Sequence, residues 1–300
     1  MNQPFLSIII PLYNYADTLV RAVESVIQQS FNDVEIIIIN DGSTDNSDQL
    51  AQSLVQKHPE IITYQSQNNA GPAKARNYGI RLAKGDFLTF LDADDELFEN
   101  SLAVVEKALK NKEIKLLIGG HQSVDSKGKV KNKLAGVLPE GKRQALKAYL
   151  LDKTLSLSNG SVYFHKDIFV DYQFPEQFRN SEDVSVFAYA IANFKACVIE
   201  QPLAIVYKHK GSLRGNTDHA KKIGMSIVDE VFSPIRMQGD VQDLKKDFSA
   251  QRALSLFRTL YLAEEYKEAL VYFRLALKIK PVVLIKWAYT QKAINALVRL

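Results

Sequence analysis

Two runs near the N-terminus, Phe5-Leu6-Ser7-Ile8-Ile9-Ile10-Pro11 and Val34-Glu35-Ile36-Ile37-Ile38-Ile39, limit what this chain can fold into. Their hydrophobicity is continuous rather than alternating, and both are rich in β-branched residues. A strand that is apolar on both faces has to be covered on both faces, as in a parallel sheet flanked by helices. Between the runs, Leu19, Val20, Val23, Val26 and Ile27 recur at helical spacing, with Asp17 as the expected cap. A second helical pattern passes through Leu50, Leu54 and Val55, followed by a short strand at 61–64. Gly71-Pro72 then opens a helix over 73–83, with proline near its first turn. Alternation of this kind builds an open, layered α/β sheet, mixed but mostly parallel.

The next strand, at Phe87-Leu88-Thr89-Phe90-Leu91, ends in Asp92-Ala93-Asp94-Asp95. Beyond it the alternation loosens. A helix is expected over 97–109, a strand over 114–118, a polar turn between two strands at 125–131, and a helix over 143–151. A strand at 161–165, a helix at 184–193 and strands at 197–199 and 203–207 follow, and from about 224 the pattern is mostly helical. Ala263–Phe273 resembles half of a helical-hairpin repeat, but no second copy stands at a matching period.

Composition excludes several classes. A formal net charge of +4 is too small to argue for nucleic acid. The single Cys197 cannot form an intramolecular disulfide, which fits a reducing compartment. No basic, cleavable apolar leader follows Met1, and no apolar run reaches bilayer-spanning length, so a cytoplasmic location is expected.

Three carboxylates within four residues at the end of a buried strand are costly unless something cationic sits beside them. Hard oxygen ligands suit Mg²⁺ or Mn²⁺, and such an ion, with positions left open, also takes phosphate oxygens. A diphosphate held in that way is a good leaving group. Polar groups also follow the first strand, Pro11-Leu12-Tyr13-Asn14, and the second, Asp41-Gly42-Ser43. In open α/β sheets, ligands bind beyond the carboxyl ends of the strands.

Taken in order, Ser7–Asn14, Asn40-Asp41-Gly42-Ser43-Thr44-Asp45, Gly71-Pro72-Ala73-Lys74-Ala75-Arg76-Asn77 and Asp92–Asp95 closely resemble the family 2 glycosyltransferases, inverting enzymes of the GT-A fold. The likeness is strong over about the first hundred residues and weaker to about 215. It implies a catalytic domain over 1–215, with a nucleotide-binding half (1–110) and an acceptor-binding half (111–215), followed by a helical extension over 216–300. It further implies that Pro11 and Tyr13 border the base, that Asp41 accepts a hydrogen bond from the base edge, and that Lys74 or Arg76 meets phosphate or base; for Arg76 a structural ion pair is the alternative. Asp92 and Ala93 would reach the ribose or metal region, and Asp94 would be the main ligand of Mn²⁺ or Mg²⁺. Arg179-Asn180-Ser181-Glu182-Asp183 matches the family's Glu-Asp signature, with Asp183 as base and Glu182 positioning it or a sugar hydroxyl; a helix-capping pair is the alternative. His209 would be a second metal ligand, and Lys210 or Arg214 would neutralise phosphate. Ser158-Asn159-Gly160 reads either as acceptor-pocket lining or as an ordinary turn.

The implied partners are a nucleotide-sugar donor, UDP before GDP or dTDP, and a glycan or lipid-linked acceptor in surface polysaccharide or lipopolysaccharide assembly. A non-catalytic nucleotide-sugar or glycan-binding module of the same fold is the competing reading. A nucleotidyltransferase would need the glycine-rich, basic phosphate loop that the N-terminus lacks. The last helical segment, 282–300, mixes Lys286, Lys292 and Arg299 with Val283, Leu284, Ile285, Trp287, Ile294, Leu297 and Val298. It suits an anionic membrane surface, which would put the protein peripherally at the inner face of the cell membrane, and it equally suits packing on the catalytic domain or on a homo-oligomer partner.

Overall fold

The computed structural model describes residues 4–209 and 217–300. Its first half alternates β1 (Leu6–Leu12), α1 (Ala16–Ile27), β2 (Val34–Asn40), α2 (Ser47–Lys57), β3 (Ile62–Ser66), α3 (Pro72–Leu82) and β4 (Phe87–Phe90). Then come β5 (Glu96–Leu97), α4 (Ser101–Leu109), β6 (Leu116–Val124), β7 (Val130–Lys133), α5 (Lys142–Lys147), β8 (Val162–His165), α6 (Ile168–Asp171), α7 (Glu182–Asn193) and β9 (Ala196–Tyr207). The remainder is helical: α8 (Thr217–Ile223), α9 (Ser226–Val231), α10 (Leu244–Leu262), α11 (Tyr266–Ile279) and α12 (Trp287–Val298). No described helix is long and apolar enough to cross a membrane.

The strands form one mixed sheet in the order β3-β2-β1-β4-β8-β6-β9-β5, with β7 paired to β6. From β3 to β4 the pairing is parallel. Both faces are covered, as continuous hydrophobicity requires. Ile9, Ile37 and Ile39 enter one core with Phe90 and Phe164, while Ile8, Ile10, Ile36 and Ile38 enter the other with Leu19 and Val23. The polar interruptions are satisfied: Glu35 Oε1 accepts from Ser7 Oγ and from the Lys84 N–H, both at 2.6 Å. The core of the first face continues through Phe232 and Phe248, and α10 to α12 add a cluster of their own around Phe257 and Phe273.

Several elements differ from the sequence expectation. The helix foreseen from residue 97 starts at Ser101, because Glu96 and Leu97 pair antiparallel with Ile205 and Ala204. The strands foreseen at 197–199 and 203–207 are one strand. Pro202 lies inside it, opposite Gly120, where the register shifts on both sides, so its missing N–H falls at an irregularity of the ladder. The helix foreseen over 143–151 divides into α5 and a π-helical turn, Ala148–Asp152. Asp17 lies inside the first turn of α1 rather than capping it; Asp45 Oδ2 and Ser47 Oγ accept the Ala16 and Tyr15 N–H groups instead.

The position of the site follows from strand order. The chain proceeds outward from β1 to β2 and β3, then returns to place β4 on the other side of β1. That reversal opens a crevice at the carboxyl ends of β1 and β4. The approach of α3 to β1 depends on Gly79, where an added Cβ would lie 2.3 Å from Ile9 Cγ2. Gly79→Ala gains roughly 1 kcal/mol of helix propensity, but overpacking at this distance outweighs it. A net loss on the order of 1–3 kcal/mol in urea unfolding is expected, and equal or greater stability would contradict the packing described.

Candidate active site

A cleft of about 960 Å³ lies at this crevice. One wall is made of loops sewn together by short polar side chains. Asn14, at φ 58, turns the chain out of β1, and its Oδ1 accepts the Thr44 N–H at 2.7 Å while its own N–H donates to Ser43 Oγ at 3.0 Å. Tyr13 is left 45 % exposed at the cleft edge next to Pro11. Asp41 is buried and holds the loop ahead of α3: it accepts from Gln67 Nε2 at 2.7 Å and from the Ala70 and Gly71 N–H groups at 2.8 Å. Gly71 supplies the left-handed φ of 97 that this loop needs. A carboxylate offers about four acceptor positions, and these three bonds leave one.

The acidic tip divides into three environments. Leu91 N–H still bonds to Ile9 O, and a turn closed by Asp95 N–H to Asp92 O sets the carboxylates after it. Asp95 faces inward and accepts the Tyr207 N–H at 2.9 Å, tying the tip to β9; it does not line the cleft. Asp92 pairs with Arg76 Nη2 at 2.9 Å, and Asn159 Nδ2 lies 3.4 Å from its second oxygen. Asp94 Oδ2 stands 2.7 Å from His209 Nε2. Burial and the neighbouring Asp92 charge push the Asp94 carboxyl above its ordinary value, with His209 opposing the rise. The Tyr15 hydroxyl is raised as well, by burial and then by Asp94 and Asp92. Helix α1 steadies the backbone of the tip, with Thr18 Oγ1 donating to Ala93 O at 2.8 Å and Arg21 Nη2 to Asp94 O at 2.7 Å. Arg21 also pairs with Glu96 at 2.8 Å and lies over the Tyr207 ring.

Part of the cationic charge expected beside the tip comes from the chain itself, as Arg76. That guanidinium is buried and joins Asp92 to Glu182 Oε1 at 2.5 Å, across 106 residues. It takes up the structural ion pair weighed for it, with Nη1 and Nη2 each engaged by a carboxylate. Lys74 is exposed and does not line the cleft. Two residues apart on α3, Lys74 and Arg76 point about 200° from each other around the axis, so one helix cannot present both.

Glu182 and Asp183 begin α7 after Ser181, which sits at φ 63 and makes no side-chain cap; neither acid is itself the cap. Glu182 is buried against Arg76, whereas Asp183 is half-buried and lines the cleft, its charge acting on Arg76 and on the buried Tyr149 hydroxyl. Asn159, weighed as pocket lining or turn, lines the cleft, and its Oδ1 has no hydrogen-bond partner among the described residues. Pro11, Tyr13, Asp41, Arg76, Asp92, Ala93, Asp94, Glu182, Asp183 and His209 all border one space. Lys210 and Arg214 lie outside the described residues.

Tyr15, Arg21, Asn69, Arg179 and Tyr207 also line this space without having been assigned roles from sequence. Tyr15 directly follows the Pro11–Asn14 motif, which was a usable signal. Arg21 and Tyr207 sit among core-spaced residues of a helix and a strand, where nothing local marks them.

Among the described residues no three His, Cys, Asp or Glu side chains gather as a ready-made metal cage. Asp94 and His209 do offer a carboxylate oxygen and an imidazole nitrogen side by side. That donor pair suits Mn²⁺ or Mg²⁺ when diphosphate oxygens complete the shell.

Residues 7–172 match the Glycosyl transferase family 2 domain. The chain is 32% identical over 120 residues to glycosyltransferase GlyG of Streptococcus pneumoniae serotype 4, a stretch covering 40% of each protein. In structure it resembles S. aureus TarS 1-349 in complex with UDP-GlcNAc, with a TM-score of 0.68 at 19% identity, covering 97% of this chain and 88% of that one. It also resembles the mannosyltransferase PcManGT of Pyrobaculum calidifontis in complex with GDP-Man and Mn2+, with a TM-score of 0.58 at 15% identity, covering 99% and 87%. At these identities the two structures establish the GT-A-like fold.

Replacing Arg76 tests the central pairing. Arg76→Met leaves Glu182 buried without a counter-charge, and a loss of roughly 3–5 kcal/mol is expected in urea unfolding. Arg76→Lys keeps the charge without the forked donors and falls between. Wild-type stability in Arg76→Met would mean the guanidinium does not hold the end of β4 to the start of α7.

Proposed function

The chain belongs to Glycosyl transferase family 2, and we propose that it is a metal-dependent, inverting enzyme. It moves one sugar from a nucleotide diphosphate sugar, UDP being the favoured nucleotide, to a glycan or lipid-linked acceptor of surface polysaccharide or lipopolysaccharide assembly. One observation carries the reading: the Asp94–His209 pair and Asp183 open onto the same cleft, on either side of Arg76 and its two carboxylates. The nucleotide sugars bound in the TarS and PcManGT complexes, and the Mn2+ of the latter, support a donor and a cation of this kind. GlyG matches over less than half its length, so the donor sugar, acceptor and location are part of the proposal. Residues 1–110 would serve the donor, 111–215 the acceptor, and 216–300 would be an extension, in a protein at work in the cytoplasm.

In this mechanism Tyr13 offers a stacking face to the base and Asp41 its remaining acceptor position. Arg76 holds Asp92 and Glu182 at fixed places, so the ribose side and the acceptor side keep their spacing. Asp183, in the first turn of α7 where the helix dipole favours negative charge, takes the proton of the acceptor hydroxyl. The freed oxygen attacks the anomeric carbon on the face opposite the diphosphate, and the configuration inverts. A divalent cation held by Asp94 and His209 would neutralise the charge of the departing diphosphate.

Asp183→Asn is expected to fold normally, bind donor, and lose on the order of 10²–10⁴ in turnover. Unchanged transfer to a verified acceptor would remove Asp183 from the mechanism. A thermal-shift screen with UDP, GDP and dTDP sugars should show stabilisation that grows with ligand concentration. The gain should depend on Mn²⁺ in the wild type and be lost in Asp94→Asn. Equal shifts with and without Mn²⁺ would refute metal dependence, while donor binding without turnover of any acceptor would favour a binding module.

A further inference from the structure

Helix α12 is packed with its small side inward. Ala293 and Ala296 are buried against α10 and α11, whereas Trp287, Ile294 and Val298 lie on the opposite side at 68%, 51% and 82% exposure. Those three recur at i, i+7 and i+11, one outward stripe of the helix. The 3₁₀ turn before it, Pro281–Ile285, extends the stripe by exposing Val282, Leu284 and Ile285. Of the sixteen large apolar side chains exposed among the described residues, eight fall between 282 and 300. An apolar surface so concentrated marks an interaction site rather than the ordinary scatter of a protein exterior.

Charge selects the occupant. From residue 269 to 300 there are six basic residues, Arg274, Lys278, Lys280, Lys286, Lys292 and Arg299, and no Asp or Glu. Of these, only Lys280 is salt-bridged among the described residues, to Asp247 at 2.6 Å. Lys286 is exposed directly between Ile285 and Trp287, Lys278 is exposed on α11, and Arg299 reaches across to the Tyr266 hydroxyl at 2.7 Å. A second copy docking by two-fold symmetry would bring this cationic patch against itself. An anionic bilayer neutralises it while taking up the apolar side chains, and long Lys and Arg stems reach back to the headgroups.

We propose that the outer face of Val282–Leu300 is a docking surface for anionic phospholipid, laying α12 flat in the headgroup region. The surface is separate from the cleft, and binding is read without turnover, so its test stands whether or not the transferase reading holds.

Trp287, the one tryptophan of the chain, lies in the stripe and serves as a native probe. The full chain is titrated with vesicles of phosphatidylcholine alone and of phosphatidylcholine with an equal part of phosphatidylglycerol, following tryptophan emission and co-sedimentation. The expected result is a blue shift and pelleting with the anionic vesicles only, reversed by high salt. Ile294→Glu with Val298→Glu, both at exposed positions, should abolish both signals without changing circular dichroism. Lys278→Glu with Lys286→Glu should weaken partitioning on the order of tenfold or more. Failure of the wild type to shift or pellet with anionic vesicles overturns the proposal, as does equal binding to neutral vesicles. Sedimentation equilibrium is run in parallel, and self-association that the Ile294→Glu, Val298→Glu variant abolishes, with no vesicle binding by the wild type, would assign the surface to a second copy instead.

Discussion

The buried guanidinium of Arg76 is the constraint around which the cleft is arranged. It comes from the first turns of α3, in the parallel half of the sheet, and pairs with Asp92 just beyond β4 and with Glu182 at the start of α7. Burying a cation this deeply is unfavourable by itself, and the two carboxylates offset the cost and hold it firmly charged. The same contact gives each carboxylate a fixed place. Helix α7 can therefore present Asp183 to the cleft only in the orientation that Glu182, its neighbour, permits.

Around this joint the acidic tip is differentiated rather than uniform. Asp95 is a structural fastener to β9, Asp92 is a counter-ion, and Asp94 keeps its carboxyl toward His209 and the cleft. The raised Asp94 carboxyl follows first from its burial and then from sharing space with the Asp92 charge. Asp94 and His209 meet at the cleft, where a cationic ligand would relieve that repulsion. The backbone on which it stands is held by Thr18 and Arg21 of α1, so the donor pair is anchored from a third element.

Much of the fold was legible because the relevant signal is local. The apolar runs of β1 and β2 are continuous, α1 and α3 have helical spacing with proline or polar residues at their starts, and the turn between β6 and β7 is marked by Asp125 and Gly128. Readings failed where pairing overrode local preference. Glu96 and Leu97 look like the start of a helix but are taken by β9, and Pro202 looks like a strand break yet is absorbed at a register shift. In the site, the loops that motif order singled out meet around one cleft. Motif order could not separate Lys74 from Arg76 in environment, nor reveal Arg21 and Tyr207, whose importance lies in contacts with residues far along the chain.

By itself the amino-acid order determined the alternating strands and helices of the first ninety residues, that the sheet is covered on both faces, and that polar tips follow β1, β2 and β4. Those properties depend on side-chain periodicity within a turn or two of chain. Only the tertiary structure decided how charge is shared among the acids, because Arg76 meets Glu182, Asp95 meets Tyr207 and Asp94 meets His209 across separations of 106, 112 and 115 residues. It likewise decided that α12 turns its alanines inward and its large apolar residues outward. That choice depends on how near α10 and α11 approach, a distance that no local pattern encodes.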